Sequence, residues 1–195
     1  MKKTPFKISS LRPLSWSAIS SFEYDKEQWY RKYVLNIQDP PTREMEFGKR
    51  FAKAIEDGTP MAPVTVLPRV EEKLSVMFGD IPLIGFMDTY DYDKRIVGEF
   101  KTGKKAWTQE RVDSHGQITM YLLMLYITYK IKPEDYTCFL ESVQTEERGD
   151  FSIGLVQPTV VQHFDTKRTM KDITLFGTRI LKTVAEMESF ANSYS

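Results

Sequence analysis

The sequence predicts an α/β fold, a β-sheet flanked by helices. Residues 81–101 are rich in β-branched and aromatic side chains around a turn-like Asp93-Lys94-Arg95, the pattern of a β-hairpin. Other segments repeat apolar residues at helical spacing. The 195 residues, 41% apolar, suffice for a single domain, 1–195, with its own core.

From the N-terminus, residues 14–35 read as a helix that Ser15 or Ser17 can cap, carrying Ile19, Phe22, Trp29, Tyr30 and Tyr33. Aromatics at helical spacing face inward more often than they stack on bases, so this stripe is read as core. Residues 43–57 form a second helix, stopped by Gly58. Residues 60–68 are a proline-interrupted connection, 70–78 the first strand, and Gly79-Asp80 turns into the hairpin. A long helix over 108–131 presents Ile118, Leu122, Leu125 and Tyr129 to the sheet. Past Pro133, residues 136–144 and 151–161 are strands joined by the charged turn 145–150. A final helix, 165–192, buries Ile173, Phe176, Ile180, Leu181, Val184 and Met187.

Composition removes several classes of function. With 27 Lys and Arg against 27 Asp and Glu the formal net charge is zero, which argues against a nonspecific polycationic nucleic-acid binder and leaves a local basic groove open. The single cysteine, Cys138, permits neither an intramolecular disulfide nor a four-cysteine cluster, consistent with a reducing cytoplasm. No apolar run approaches the roughly 20 residues that span a bilayer, and Met1-Lys2-Lys3-Thr4-Pro5 has no signal-peptide core behind it. A cytoplasmic protein without a membrane role is therefore expected. No Walker-type phosphate loop is present, so an ATP-driven motor would have to be a separate chain.

The hairpin carries the chemistry. Strand side chains alternate between faces, so Ile96, Gly98 and Phe100 share one face while Val97, Glu99 and Lys101 share the other. Asp88, on the partner strand, lies far enough along to approach Glu99 across the ladder. Two carboxylates and a lysine suit a hard cation, Mg²⁺ or Mn²⁺, held by Asp88, Glu99 and a backbone carbonyl such as that of Phe100. Such an ion binds a scissile phosphate and lowers the pKa of a coordinated water. Lys101 would orient or activate that water and offset charge on the phosphate. A solvated Glu-x-Lys pair is the plain alternative.

Gly85-Phe86-Met87-Asp88, Glu99-Phe100-Lys101-Thr102-Gly103 and Gln117-Ile118-Thr119-Met120-Tyr121, in that order and separation, resemble the PD-(D/E)XK nuclease superfamily, and within it the RecB-like nuclease domains that include phage exonucleases and CRISPR-adaptation nucleases. The resemblance implies a restriction-endonuclease-like core with a central mixed β-sheet flanked by α-helices. It implies Asp88 and Glu99 as metal ligands, Lys101 as the catalytic lysine, and Gln117 and Tyr121 as residues that line the site; a packing role for Tyr121 is the alternative. Many RecB-like members carry a metal-binding histidine where this chain has Ala52. Glu56, one helical turn on, is then a candidate third carboxylate, against a solvated helix-end glutamate. Tyr24-Asp25-Lys26 stands near the position of the cysteine that part of the group uses for an iron–sulfur cluster, and the cysteine count excludes one here.

Beyond Lys101, the short basic segment with Lys104, Lys105 and Trp107 could touch a phosphate backbone and stack on a base, or be an ordinary solvated loop. His115 and His163 have no partner in motif spacing and are read as structural or solvent-facing. The resemblance thus implies a metal-dependent deoxyribonuclease, an exonuclease of replication, repair or recombination, with DNA as partner and room for a recombination or replication protein. The alternative from another class is a noncatalytic nucleic-acid-binding or partner-docking domain that kept the fold after losing the histidine.

Overall fold

The computed structural model describes residues 6–10 and 12–194. Among these, β1 (Arg69–Phe78), β2 (Ile81–Asp91), β3 (Ile96–Gly103), β4 (Thr137–Glu147), β5 (Ile153–Leu155) and β6 (Val161–Thr166) make a six-stranded sheet. The order is β1-β2-β3-β4-β5, and β6 also pairs with β4. Only β3 and β4 run parallel, so the sheet is mixed but mostly antiparallel, and helices cover it, as the sequence leads one to expect.

The helices are α1 (Trp16–Tyr24), α2 (Lys26–Trp29), α3 (Arg43–Glu56), α4 (Gln109–Asp113), α5 (Gly116–Tyr129) and α6 (Met170–Ser193). Three of the predicted helices differ in detail. The helix expected over 14–35 starts under a Ser15 cap and breaks at Asp25, whose side chain caps α2, which continues as a π-helical turn, Tyr30–Val34. Ile19, Phe22 and Trp29 are nonetheless buried, as the aromatic stripe predicts. The helix expected over 108–131 is two, because Thr108 caps α4, the backbone leaves the helix at Ser114 and His115, and α5 restarts at Gly116. In α5 every side chain from Ile118 to Leu125 is buried, since the sheet lies on one side and α1 and α6 on others. Tyr129, predicted to face inward, is 40% exposed past the end of that sandwich. In α6 the expected inner row holds except for Leu181, which is 54% exposed one step off the buried stripe.

The strand expected over 151–161 is interrupted, with only Ile153–Leu155 and, at its end, Val161 in strands. Short β5 lies against the far end of β4 (Thr145–Glu147 with Ile153–Leu155) and β6 against its near end (Cys138↔Thr166 to Val143↔Val161), with Pro158 between them. Proline supplies no backbone donor for a ladder, so a continuous strand through it is disfavoured. The turn accordingly falls at 148–152, later than the charged run suggests.

Two apolar layers sandwich the sheet. The larger joins α1, α5 and α6 to Leu83, Met87, Val97 and Leu140, and the smaller joins Phe47, Phe51 and Ile55 of α3 to Phe100, Phe139 and Val143. Val97 and Phe100 fall in opposite layers, which is the face division predicted for β3. The 60–68 connection is pinned to the sheet by two buried acceptors: Thr89 Oγ1 takes the Leu67 N–H at 2.6 Å and Glu141 takes the Thr65 N–H at 2.6 Å.

β2 and β3 pair only from Thr89↔Gly98 to Asp91↔Ile96, and beyond that they splay. The edge of β2 so released finds other partners. Leu14 accepts from Ile84 N–H at 3.0 Å and donates to Pro82 carbonyl at 2.7 Å, while the Tyr121 hydroxyl donates to the Phe86 carbonyl. That last contact needs Gly85, where a Cβ would meet the Tyr121 ring at 2.9 Å.

The two apolar positions of opposite fate give a direct test. Leu122→Ala, at a wholly buried site, should lower unfolding free energy by about 2–5 kcal/mol. Leu181→Ala should change it by no more than about 0.5 kcal/mol. Urea denaturation of the two variants checks the assignment, and equal losses would contradict it.

Candidate active site

The splay opens a cleft of about 320 Å³ between α3, β1, β2, β3 and α5, lined among others by Asp88, Glu99, Lys101 and Gln117. At its floor a side chain replaces the backbone ladder. Asp88 Oδ2 accepts the Phe100 N–H at 2.7 Å, in place of the strand carbonyl that would have taken it. Glu99 follows, 1% exposed, and its Oε1 accepts from Lys101 Nζ at 2.5 Å. Lys101 also donates to Gln117 Oε1 at 2.8 Å, and Gln117 Nε2 donates to the Tyr121 hydroxyl at 2.6 Å. One polar chain therefore runs from Glu99 through Lys101 and Gln117 to Tyr121 and the open edge of β2. The i, i+4 spacing of Gln117 and Tyr121 places both on the same side of α5, as their sequence separation predicts.

Burial sets the electrostatics. Glu99 is pushed up to about 8 by desolvation and then by the charge of Asp88, against the opposing pull of Lys101. Asp88 also lies above its ordinary value, chiefly through desolvation, although Lys101 and the Phe100 N–H favour its ionised form. Desolvation pulls Lys101 down, but Glu99 and Asp88 outweigh it and hold the ammonium above its usual range. Tyr121 is kept neutral by burial and the two carboxylates. The cleft is thus short of positive charge: its acids are raised toward protonation although a lysine stands between them and solvent.

One buried atom shows the same deficit. Glu99 Oε2 has no hydrogen-bond partner, and an unpaired carboxylate oxygen out of water is costly. Hard oxygen donors of this kind fit a divalent cation, with Asp88, Glu99 and the Phe100 carbonyl as the residues able to hold it. Among the described residues no group of three or more His, Cys, Asp or Glu is placed to hold a metal, so water or substrate oxygens would have to complete the shell.

Other predicted residues lie elsewhere. Ala52 does line the cleft, but Glu56 does not: it is exposed and ion-paired with Lys53 at 3.1 Å, because four residues of helix carry it about 6 Å beyond the opening. Lys104 is exposed but already ion-paired to Glu44 at 3.3 Å and Glu147 at 3.4 Å. Lys105 is exposed. Trp107 is not an exposed ring. It is buried, 9% exposed, edge-on to His115 with centroids 5.1 Å apart and with the Arg111 guanidinium 3.7 Å from its ring centroid, so its face is taken and it offers no base platform. His115 is structural, wedged between Trp107 and Trp16. His163 stacks on Phe139 and bonds Glu141 at 2.9 Å.

Two lining residues escape the motif reading. Ser17, read as a cap, instead faces the cleft while Ser15 caps α1. Glu71 of β1 faces it too. The adjacent pair Glu71-Glu72 on a strand is the signal that was available, since alternation turns one of two neighbours inward.

No protein-family model matches the sequence, and no curated protein is significantly similar to it. Among solved structures, a candidate exonuclease from Eubacterium rectale superposes with a TM-score of 0.63 at 9% identity, covering 94% of this chain and 83% of that one. The two chains share a fold. An alkaline exonuclease from Laribacter hongkongensis is more loosely similar, with a TM-score of 0.45 and 14% identity over 93% of this chain and 91% of its own. Identity this low speaks to fold alone. Among the described residues no helix is long and apolar enough to cross a membrane.

His115 gives a pH test of the packing around the cleft. Burial, then the charges of Lys101, Arg168 and Arg111, depress it to about 3. The unfolded chain takes up a proton near pH 6.5 and the folded one does not, so stability falls as pH drops from about 6.5 toward 3. His115→Phe should remove this component. Thermal melts from pH 7 to pH 4 are expected to show a smaller loss in the variant than in the parent, and parallel losses would contradict the neutral buried ring.

Proposed function

We propose that the chain is a metal-dependent deoxyribonuclease, an exonuclease acting in DNA replication, repair or recombination. The observation that carries this is the convergence of Asp88, Glu99 and Lys101 on one cleft, with Glu99 Oε2 buried and unpaired. The exonuclease preference draws on the resemblance of the motifs and on the name of the Eubacterium rectale neighbour. DNA is the proposed partner, with a recombination or replication protein as a further one.

In this reading Asp88, Glu99 and the Phe100 carbonyl would hold Mg²⁺ or Mn²⁺. The bound ion would polarise the scissile phosphate and lower the pKa of a coordinated water. Lys101, held as an ammonium by Glu99 and Asp88, can donate hydrogen bonds but not take up a proton, so it orients the attacking water and offsets charge developing on the phosphate. Gln117 fixes the Lys101 head through its 2.8 Å bond, and Tyr121 fixes Gln117. The water oxygen bonds to phosphorus and gives up its proton to solvent, the bridging P–O bond breaks, and the departing oxygen takes up a proton from solvent.

End-labelled linear and circular DNA, incubated with Mg²⁺, Mn²⁺ or EDTA, tests the proposal. Metal-dependent loss of linear DNA is expected, abolished by Glu99→Ala. Lys101→Ala should lower the rate by about 10²–10³-fold, the scale of removing one charge-stabilising donor, while leaving the fold intact. Intact DNA under every condition, with binding retained, would favour the noncatalytic reading and make Ala52 the residue to explain. Because a ligand carboxylate must be deprotonated, Mn²⁺ affinity should climb as pH rises toward about 8, the range of Glu99, and Glu99→Gln should flatten that climb. A calorimetric titration across pH reads this directly.

A further inference from the structure

Helix α3 has a second groove on its far side. Gly48 and Ala52 line the cleft, whereas Arg43, Lys49 and Arg50 line a groove of about 840 Å³ that the turn between β4 and β5 closes with Phe151. Two residues of helix separate Gly48 from Arg50, which carries Arg50 more than half a turn round.

Phe151 is the residue that packing leaves unexplained. Its φ of 62° lies in the left-handed region that a Cβ disfavours, and the residue is 65% exposed. Neither backbone fit nor burial accounts for an aromatic ring here. The turn nonetheless fixes it: Phe151 N–H donates to the Arg148 carbonyl at 2.8 Å, and Arg43 donates to the Phe151 carbonyl at 2.8 Å. The Arg43 guanidinium stands 5.6 Å from the ring centroid, against 3.7 Å for the arginine that covers Trp107. An open aromatic face, expected at Trp107, is found at Phe151.

Independently, the groove holds positive charge that the protein itself does not use. Among the described residues the side chains of Lys49 and Arg50 have no hydrogen-bonding or ion-pairing partner, although Arg50 lies 5.6 Å from the Phe47 ring centroid. Neighbouring cations are committed, Lys53 to Glu56 and Asp57 and Lys104 to Glu44 and Glu147. Arg43 is shared with Glu147 at 3.5 Å. Of the two acids in the groove, Asp150 is engaged by Ser152, which leaves Glu46 as the opposing charge.

We propose that the groove between α3 and the β4–β5 turn holds single-stranded DNA, with Phe151 stacking on a base and Lys49 and Arg50 meeting phosphates. The inference deepens the nuclease reading, on which its choice of DNA rests. A duplex hides the faces of its bases, so an open ring beside unpaired cations favours an unpaired strand. An α-helix with its side chains is about 10–12 Å across, so a strand held here lies within a few nucleotides of the cleft.

Fluorescence anisotropy of labelled oligothymidylate, run in EDTA so that nothing is cleaved, reads the groove apart from the chemistry. The wild-type chain should bind the single strand more tightly than a duplex of equal length. Phe151→Ala should weaken that binding by about 5- to 150-fold, the range of one base stack, and leave affinity for an abasic strand unchanged. Phe151→Asn suits the positive φ, so it should lose the same affinity while melting no lower than the parent. Replacing Lys49 and Arg50 together by Gln should reduce the slope of log affinity against log salt by about 1.4. Unchanged oligothymidylate binding in the Phe151 variants, or equal binding of the duplex or of polyglutamate, would overturn the single-strand groove, and metal-dependent cleavage by the wild type would still uphold the nuclease reading. Strand binding through Phe151 with no cleavage in any metal would uphold the groove and overturn the nuclease reading instead.

Discussion

The hydrogen bond from Phe100 N–H to the Asp88 carboxylate, 2.7 Å long, is what the rest of the cleft depends on. A buried strand cannot leave its backbone donors unpaired, so two strands can part only where something else takes the released groups. Asp88 does that for β3. For β2 the same service comes from Leu14 at Pro82 and Ile84 and from the Tyr121 hydroxyl at Phe86. The hairpin separates where these groups on either side have partners elsewhere, and the separation is the cleft.

Building the opening this way leaves acids in a poorly solvated place. Asp88 is held by a backbone donor and Glu99 by Lys101, yet both are raised by burial, and one oxygen of Glu99 has no partner. A protein with only stability to satisfy could fill such a site with apolar side chains at less cost. The arrangement is better understood as preorganised for positive charge brought from outside, which agrees with the proposed cation. Lys101 fits the same logic, since the carboxylates that raise it also fix its direction toward Gln117.

The supporting scaffold is unusually apolar where it meets this polar chain. α5 is buried on all sides between the sheet and helices α1 and α6, so Gln117 and Tyr121 have little freedom to take other positions. Arg168 adds to this rigidity. It is buried, and its guanidinium bonds the carbonyls of Val112 and His115 and the Thr119 hydroxyl, which clamps the break between α4 and α5 just ahead of Gln117.

Local pattern by itself determined the α/β class, the hairpin, the two faces of β3, a helix start at Ser15 or Ser17 and another near Thr108, and the shared faces of Glu99 with Lys101 and of Gln117 with Tyr121, while the grouping of these four with Asp88 at one site was what the resemblance of the motifs implied. The shared faces follow from alternation at period two and from i, i+4 spacing, which any short window contains. What only the tertiary structure decided depends on contacts between distant segments. Trp107 looked exposed in a basic loop until Arg111 and His115 closed on its ring. Leu181 and Tyr129 looked buried until the edges of the packed layers fell short of them. Glu56 and Glu71 exchanged places as the cleft's third acid, because helix α3 ends beyond the opening while β1 crosses it. Pattern along a chain says which way a side chain points relative to its neighbours; which surface it then meets is settled by how the elements pack.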